Sequence, residues 1–440
     1  MSEQILLSAM RRISDLPEFG ESTPAWPNHT LITPDGQHLL IFARNAPRFL
    51  VYKFQGKELV RMTDPTFPGD TEWEYWEPPG LWVPSKRVRI SPGGTYVAVT
   101  RQSSDAEDPS LYLFKRNGDA YSLLEGQPGA ALISPVRPTS LSVGFSHNEQ
   151  YLGIGKGDGL GTQPSIYWYK NDGEDGFDYL HASYFDHHVL WEGMMEILFT
   201  PNDQFVFLSV EADSYEWNYH EHRHHGIARS TRTGDSFSVP QALDDQVYRP
   251  ENYHHLGAAM SPNGTYLVDF GRWYIVVYSI DSNGDLTQMT MNPNRELYSV
   301  SGRPIAACFP PDSSDIFFLF LEKAPYIYVY RLIENEWVKS ELDNNEALLG
   351  FTETHSMIHG PSAIQEGKLL AVAGFTTTYN LSSNISRFRL MHTENPLTEP
   401  PSGGNTIEEE ITHNSIPFEW DDNIDAEEFE VSIKIDLSEE

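Results

Sequence analysis

The sequence predicts an all-β chain, and three observations carry that prediction. A short turn of Pro, Asn, Asp or Gly character recurs between an apolar pair and a second apolar run. It appears in LITPDGQHLLIFA, RISPGGTYVAVT, VGFSHNEQYLGIG, LFTPNDQFVFLS, AMSPNGTYLVDF, CFPPDSSDIFFLF and, more loosely, AIQEGKLLAVAG. The turn positions Pro34, Pro92, His147, Pro201, Pro262, Pro311 and Gln365 stand 58, 55, 54, 61, 49 and 54 residues apart, a spacing that marks a repeat architecture. Most units continue with a second alternating run and a Gly- or Asn-containing turn, as in FLVYKFQGKEL, SLYLFKRNGDAYSLL and YIVVYSIDSNGDLTQM. Strand, turn, strand, loop, strand, turn, strand is one four-stranded antiparallel sheet per repeat. A lone sheet of this size leaves both faces under-covered, whereas several arranged radially bury each face on the next. The predicted architecture is a seven-bladed β-propeller with an acidic C-terminal extension.

Each segment follows in order. Residues 1–27 precede the first blade, and Leu6, Met10 and Ile13 recur there at helical spacing, which predicts a short amphipathic helix. The propeller is expected over 28–392. Between blades 1 and 2, DPTFPGDTEWEYWEPPGLWVP carries Trp73, Tyr75, Trp76 and Trp82 among prolines that prevent a continued ladder, so a structured loop is expected. Blade 4 carries the longest insertion between its second and third strands, EADSYEWNYHEHRHHG. Long loops on one face of a propeller are where binding concentrates. The extension 393–440 begins in the Pro/Gly-rich ENPLTEPPSGGN. It ends in an alternating stretch in which Phe429, Val431, Ile433, Ile435 and Leu437 share one face. A strand over 429–437 is expected, closing blade 7 or pairing with a partner by β-augmentation. Which terminal segment closes the ring stays open between the N- and C-terminal ones.

Composition narrows the partners. Lys+Arg of 30 against Asp+Glu of 63 gives a net charge of −33, a field that disfavours direct nucleic-acid contact and anionic lipid. Residues 391–440 hold 15 acids and the single base Lys434, so −14 of the −33 lies there and −19 on the preceding 390. The sole cysteine, Cys308, sits in an inner-strand pattern and reads as a small core residue. The N-terminus lacks the basic leader and apolar core of a signal peptide, and no apolar run reaches membrane length.

Several constellations bear on chemistry. His220–His224 has the H-E-x-x-H form of zinc proteases, but its flanks carry no apolar helical stripe. On a strand or loop, His220, His222 and His224 read as exposed or interface histidines, and no metal or other cofactor is expected. Asp281, Asn283 and Asp285 imitate a calcium loop without its Gly and Glu, so a hairpin is expected there. Gly153, Gly155, Gly157, Gly159 and Gly161 contain no phosphate-binding spacing and read as an inter-strand loop. No G-x-S-x-G or C-x-x-C occurs, and no catalytic residue is assigned. Near the inner strands, Arg87, Arg137, Glu192, Glu196, His254, His255, Arg303 and His355 could converge at the channel mouth on a small polar ligand. Trp73, Tyr75, Trp76, Trp82, Tyr215, Trp217, the three loop histidines, and Phe429, Val431, Ile433 and Ile435 form the candidate partner surface.

The unit SPNGTYLVDFGRWYIVVYSIDSNGDLTQM resembles the repeats of bacterial seven-bladed propellers of the lactonase and YVTN type. SPGGTYVAVTRQSSDAEDPSLYLFKRNGDAYSLL and SIYWYKNDGEDGFDYL resemble the WD40-like repeats of tailed-phage virion proteins, with their SPDG-type turn and GD hairpin. The Gly-His mark of eukaryotic WD repeats is absent, and Trp-Asp occurs once, at Trp420. The phage resemblance implies a non-enzymatic structural protein of a virion: tail-associated, a fibre or a decoration component. Its partners would be other virion proteins or a host surface molecule, and it could form a homo-oligomer. The lactonase resemblance implies the alternative, an enzyme with its site at the channel mouth, and the expected location is the virion or, as the alternative, the cytoplasm. A glycan- or protein-binding module is a third expectation.

Overall fold

The computed structural model describes residues 27–43, 49–55, 58–65, 88–100, 111–124, 140–157, 166–173, 176–183, 193–211, 226–243, 255–271, 274–292, 304–310, 313–321, 327–340, 356–364, 369–377 and 384–392. The chain divides into two units, Met1–Leu397 and Thr398–Glu440, and every described sheet belongs to the first.

Among the described residues the structure is all strand, organised as seven sheets of consecutive, mainly antiparallel neighbours, one per repeat. The fold is an all-β propeller. Blades 1, 2, 3 and 5 each have four strands. Their first strands are Pro27–Ile32, Val88–Ile90, Ser140–Phe145 and His255–Met260. Blade 4 begins at Gly193–Phe199 and splits its outer edge into two short strands, Ser236–Phe237 and Gln241–Ala242, both paired with Gly226–Thr233. Blade 6 has five strands because Thr290–Asn292, just after blade 5 ends, lies parallel on its outer strand Glu336–Ser340. Blade 7 has three described strands, Ser356–Ile364, Leu369–Thr377 and Asn384–His392. Neighbouring inner strands succeed one another around the axis, and the inner strand of blade 7 returns to that of blade 1.

Alternation explains the radial stacking, because each sheet has two apolar faces. In the third strand of blade 2, Tyr112 and Phe114 pack toward blade 1 with Phe49 and Val51, while Leu111 and Leu113 pack toward blade 3 with Leu152 and Ile154. The same sharing recurs between blades 3 and 4, where Trp168 stacks on Phe237 with ring centroids 4.0 Å apart, and between blades 5 and 6 around Trp337. The core is therefore a series of inter-blade layers.

The repeated turn has a specific mechanism. A hydroxyl residue at its start accepts a backbone N–H from five residues on: Thr33 from His38 (2.9 Å), Ser91 from Tyr96 (2.8 Å), Ser146 from Tyr151 (2.8 Å), Thr200 from Phe205 (3.0 Å) and Ser261 from Tyr266 (2.9 Å). These hydroxyl residues are buried, so the bond both satisfies them and fixes the register of the hairpin. The third turn residue after the hydroxyl has positive φ, a region that suits glycine, at Gly36, Gly94 and Gly264. In blades 3 and 4 that position holds Glu149 (φ 56°) and Asp203 (φ 55°) instead. Both side chains are used on the preceding blade. The Glu149 carboxylate accepts from the Ser91 hydroxyl and from the N–H groups of Gly93 (2.9 Å) and Thr95 (3.3 Å). The Asp203 carboxylate accepts from the N–H groups of His147 (2.6 Å) and Asn148 (3.1 Å). Gly93 leaves room for this contact, since a Cβ there would lie 2.7 Å from Glu149 Oε1.

A second belt runs through the hairpins between third and fourth strands. Asp119 accepts from Lys53 Nζ (2.7 Å) and His38 Nε2 (3.0 Å) of blade 1. Asp235 accepts from Lys170 Nζ (2.8 Å) and the Tyr151 hydroxyl (2.7 Å) of blade 3. Asp285 accepts from Arg229 Nη1 (2.7 Å) of blade 4. Lys53 stands directly opposite His38 in the ladder, and Lys170 opposite Tyr151, so Asp119 and Asp235 each grip a cross-strand pair of the preceding blade. The GD of the hairpin is thus an inter-blade clamp: glycine supplies positive φ (Gly118 62°, Gly234 61°, Gly284 77°) and aspartate supplies the charge.

Two sequence expectations change. Gly153, Gly155 and Gly157 belong to the strand Tyr151–Gly157, not to a loop; Gly153 is opposite Trp168, whose ring lies 2.8 Å from where its Cβ would be. Large indoles facing small residues fill the layer without overpacking. Gly159 and Gly161 lie outside the described residues. Cys308, expected as a core residue, ends the inner strand of blade 6 half-buried. The Asp281–Asp285 segment is the expected hairpin, with Asp281 Oδ1 accepting from the N–H groups of Asn283 (2.8 Å) and Asp285 (2.9 Å).

Candidate functional site

Among the described residues one charged pair joins the inner strands of two different blades, Arg89 with Glu196. Arg89 is the middle residue of the inner strand of blade 2, and its neighbours Val88 and Ile90 pack toward blade 1. Alternation therefore turns Arg89 away from that layer. Glu196 lies on the inner strand of blade 4, opposite Ser209, immediately after a bulge at Met194/Glu196. Bulges bend a strand and re-aim side chains. Similar irregularities occur in the inner strands of blades 1, 5, 6 and 7, at Pro27/His29, His255/Gly257, Pro304/Ala306 and His359/Ser362.

The pair joins blades 2 and 4 and so spans blade 3, crossing its inner strand Ser140–Phe145 on the side of the axis. That strand supplies little bulk. Counted back from the turn hydroxyls Ser91, Ser146 and Thr200, Arg89 is level with Gly144, and Glu196 with Ser142. At Gly144 a Cβ would lie 2.3 Å from the Ile197 carbonyl oxygen, so the glycine is required for blades 3 and 4 to close against each other. The Ser142 hydroxyl is buried with no hydrogen-bond partner among the described residues. The Glu196 side chain is 8 % exposed and that of Arg89 27 %, so the carboxylate is enclosed while the guanidinium reaches solvent. Arg89 Nη1 also donates to the Val88 carbonyl (3.2 Å).

A buried carboxylate held against a guanidinium is a charge-matched pair that can take up a proton at one end and stabilise developing negative charge at the other. Further out, Asp269 and Tyr274 of blade 5 are both buried, with the hydroxyl 3.4 Å from Asp269 Oδ1. Burial, and secondly the nearby Asp269 charge, pushes the Tyr274 phenol well above its usual range, which keeps it protonated as a donor.

Of the sequence-predicted channel residues, Glu196 takes its place in this site. His255 opens the inner strand of blade 5, described by its backbone. Arg87, Arg137, Glu192, His254, Arg303 and His355 lie outside the described residues. So do Trp73, Tyr75, Trp76, Trp82, Tyr215, Trp217, His220, His222, His224, Phe429, Val431, Ile433 and Ile435, together with the predicted N-terminal helix and the 429–437 strand. Arg89 was missed. The signal for it was present in Arg87-Val88-Arg89-Ile90, where period-2 alternation puts both arginines on one face. Among the described residues no group of three His, Cys, Asp or Glu side chains could hold a metal ion, and no helix is long and apolar enough to cross a membrane.

No protein-family model and no curated protein matches the chain. Solved structures do. The periplasmic gluconolactonase PpgL of Pseudomonas aeruginosa aligns over 72% of this chain and 85% of its own, at 14% identity and a TM-score of 0.48. A protein from Lactobacillus plantarum aligns over 71% and 82%, at 12% identity and TM-score 0.48. A Bacteroides uniformis protein, assigned provisionally as a 6-phosphogluconolactonase, aligns over 72% and 84%, at 14% identity and TM-score 0.47. At these values the propeller assignment rests on the sheets themselves. The expectation of a non-enzymatic phage virion protein is corrected. Two of these three are named for lactone hydrolysis and none for a phage particle, so the tail, fibre and decoration readings are set aside.

Proposed function

We propose that the chain is a lactone-hydrolysing enzyme whose reaction centre is the Arg89–Glu196 pair in the propeller channel. The supporting observation is the pair itself: an enclosed carboxylate and a solvent-reaching guanidinium joined across an intervening blade. Hydrolysis of a lactone needs two things from a protein, a base for the attacking water and positive charge for the carbonyl oxygen. In the proposed reaction Glu196 takes a proton from water as its oxygen bonds to the lactone carbonyl carbon. Arg89 faces the resulting oxyanion. Collapse of the tetrahedral intermediate breaks the ring C–O bond, and the proton held by Glu196 passes to the leaving alkoxide, giving the hydroxy acid. Each role suits the residue, since guanidinium stays charged at working pH and carboxylate is an acceptor when ionised.

The test is proton release from purified protein with glucono-δ-lactone and simple γ- and δ-lactones, followed by titration with a weak indicator. Turnover above the spontaneous rate is expected, falling about 100-fold or more in Glu196→Gln. Hydrolysis no faster than in buffer across the panel, or full activity in Glu196→Gln, would overturn the proposal.

A further inference from the structure

We infer that the lactone taken by this site is an uncharged one, and that phosphorylated or carboxylated lactones are selected against. The inference rests on the lactone-hydrolase reading and deepens it. Two observations carry it. The one guanidinium that the described channel presents is already matched by Glu196, so binding a substrate anion there would require breaking the ion pair or leaving Glu196 facing a second negative charge. The chain as a whole bears −33, of which −19 lies on residues 1–390, so an incoming anion is repelled before it arrives. A neutral ring meets neither cost. Hydroxyl groups on such a ring are donors as well as acceptors and can bind alongside a paired carboxylate, which a phosphate dianion cannot.

Arg87, Arg137 and Arg303, which the sequence sets near inner-strand starts, are the groups that would reverse this preference if they formed a phosphate clamp, and the experiment includes them. Initial rates would be measured for glucono-δ-lactone and its 6-phosphate at low and at 0.5 M salt. kcat/KM at least 10-fold higher for the neutral lactone is expected. That for the phosphorylated one should rise with salt as the repulsion is screened, and that for the neutral one should stay flat. Binding supplies a readout independent of turnover. By calorimetry, 6-phosphogluconate should bind wild-type protein weakly and bind Glu196→Gln, which frees Arg89, at least 10-fold more tightly, with circular dichroism confirming that the variant is folded.

Equal or better kcat/KM for the phosphorylated lactone would overturn the inference while leaving the lactone-hydrolase reading intact. So would tight wild-type binding of 6-phosphogluconate that Arg87→Ala, Arg137→Ala or Arg303→Ala abolishes. Failure to turn over any lactone would sink both.

Discussion

The belt of charged hairpins and the pair in the channel use the same chemistry for different ends. At the belt, Asp119, Asp235 and Asp285 are 39 to 52 % exposed and each reaches the adjoining blade. In the channel, Glu196 is enclosed and its partner is two blades away. Exposed pairs of the first kind contribute little individually, because water and salt compete for both charges. An enclosed pair is costly to assemble and costly to break. Among the described residues the periodic hairpin acids thus serve alignment, whereas the Arg89–Glu196 pair joins inner strands outside the repeat. The difference between them teaches where to look for chemistry: at the charge whose partner does not follow the repeat.

The sharpest way to break that comparison is at the axis. Glu196→Gln should cut lactone turnover about 100-fold or more, while Asp235→Asn leaves kcat/KM unchanged; comparable losses in both would erase the distinction. Next in size is Gly144→Ala, whose Cβ has no room against the Ile197 carbonyl. It should destabilise the protein by about 3 kcal/mol or more, read from chemical denaturation, and lower turnover by shifting blade 3 beneath the pair. Glu149 tests whether the turn acids are bonds or merely tolerated strain. Glu149→Gly should cost about 1–2 kcal/mol, because the lost hydrogen bonds outweigh the relief of positive φ. Glu149→Ala should cost about 1 kcal/mol more, since alanine loses the bonds and keeps the strain. A stabilising Glu149→Gly would mean that the carboxylate contributes nothing between blades.

The smallest effects belong to the clamps. Asp119→Asn should lower the denaturation midpoint slightly in low salt and by less in 1 M salt. Its pH dependence has two components with the same sign. Burial, and secondly the Arg116 charge, pushes the His38 imidazole below its usual range despite Asp119, so the folded protein holds it neutral. The unfolded chain binds that proton below about pH 6.5, so this contribution is complete above that pH and is lost as pH falls through it. The bond from Lys53, first among the causes, holds the Asp119 carboxyl below its usual range, and that contribution disappears only as pH falls below about 4. Denaturation midpoints measured from pH 8 to 3 should therefore fall in two stages. His38→Gln should remove the upper stage alone.

The repeat was readable because its turn has to be written locally. A hydroxyl, a residue able to take positive φ and a following aromatic or β-branched strand are all demanded within six residues. The substitution of Glu149 and Asp203 for glycine weakened that signature without destroying it, since the flanking hydroxyls Ser146 and Thr200 stayed in place. The GD hairpins were legible as turns but not as clamps. Nothing in Asn117-Gly118-Asp119 records that Lys53 and His38, 66 and 81 residues earlier, lie beside it. Glu196 could be picked out as a charge on an inner strand. Arg89 could not be assigned to it, because their partnership spans 107 residues and depends on a glycine in a third blade. Large indoles against glycine made the second strand of blade 3 look like a loop, since glycine lowers strand propensity while cross-strand packing raises it.

The short strand Thr290–Asn292, lying parallel on the outer edge of blade 6, makes the repeats mechanically unequal. Most blades meet through side chains that can separate layer by layer. Blades 5 and 6 are also sewn by backbone hydrogen bonds, so neither can peel from the ring without tearing a strand from the other. The unit that opens or folds as one there is a pair of blades, and a circularly permuted chain cut between residues 288 and 290 would detach the seam strand from blade 5 while keeping every repeat.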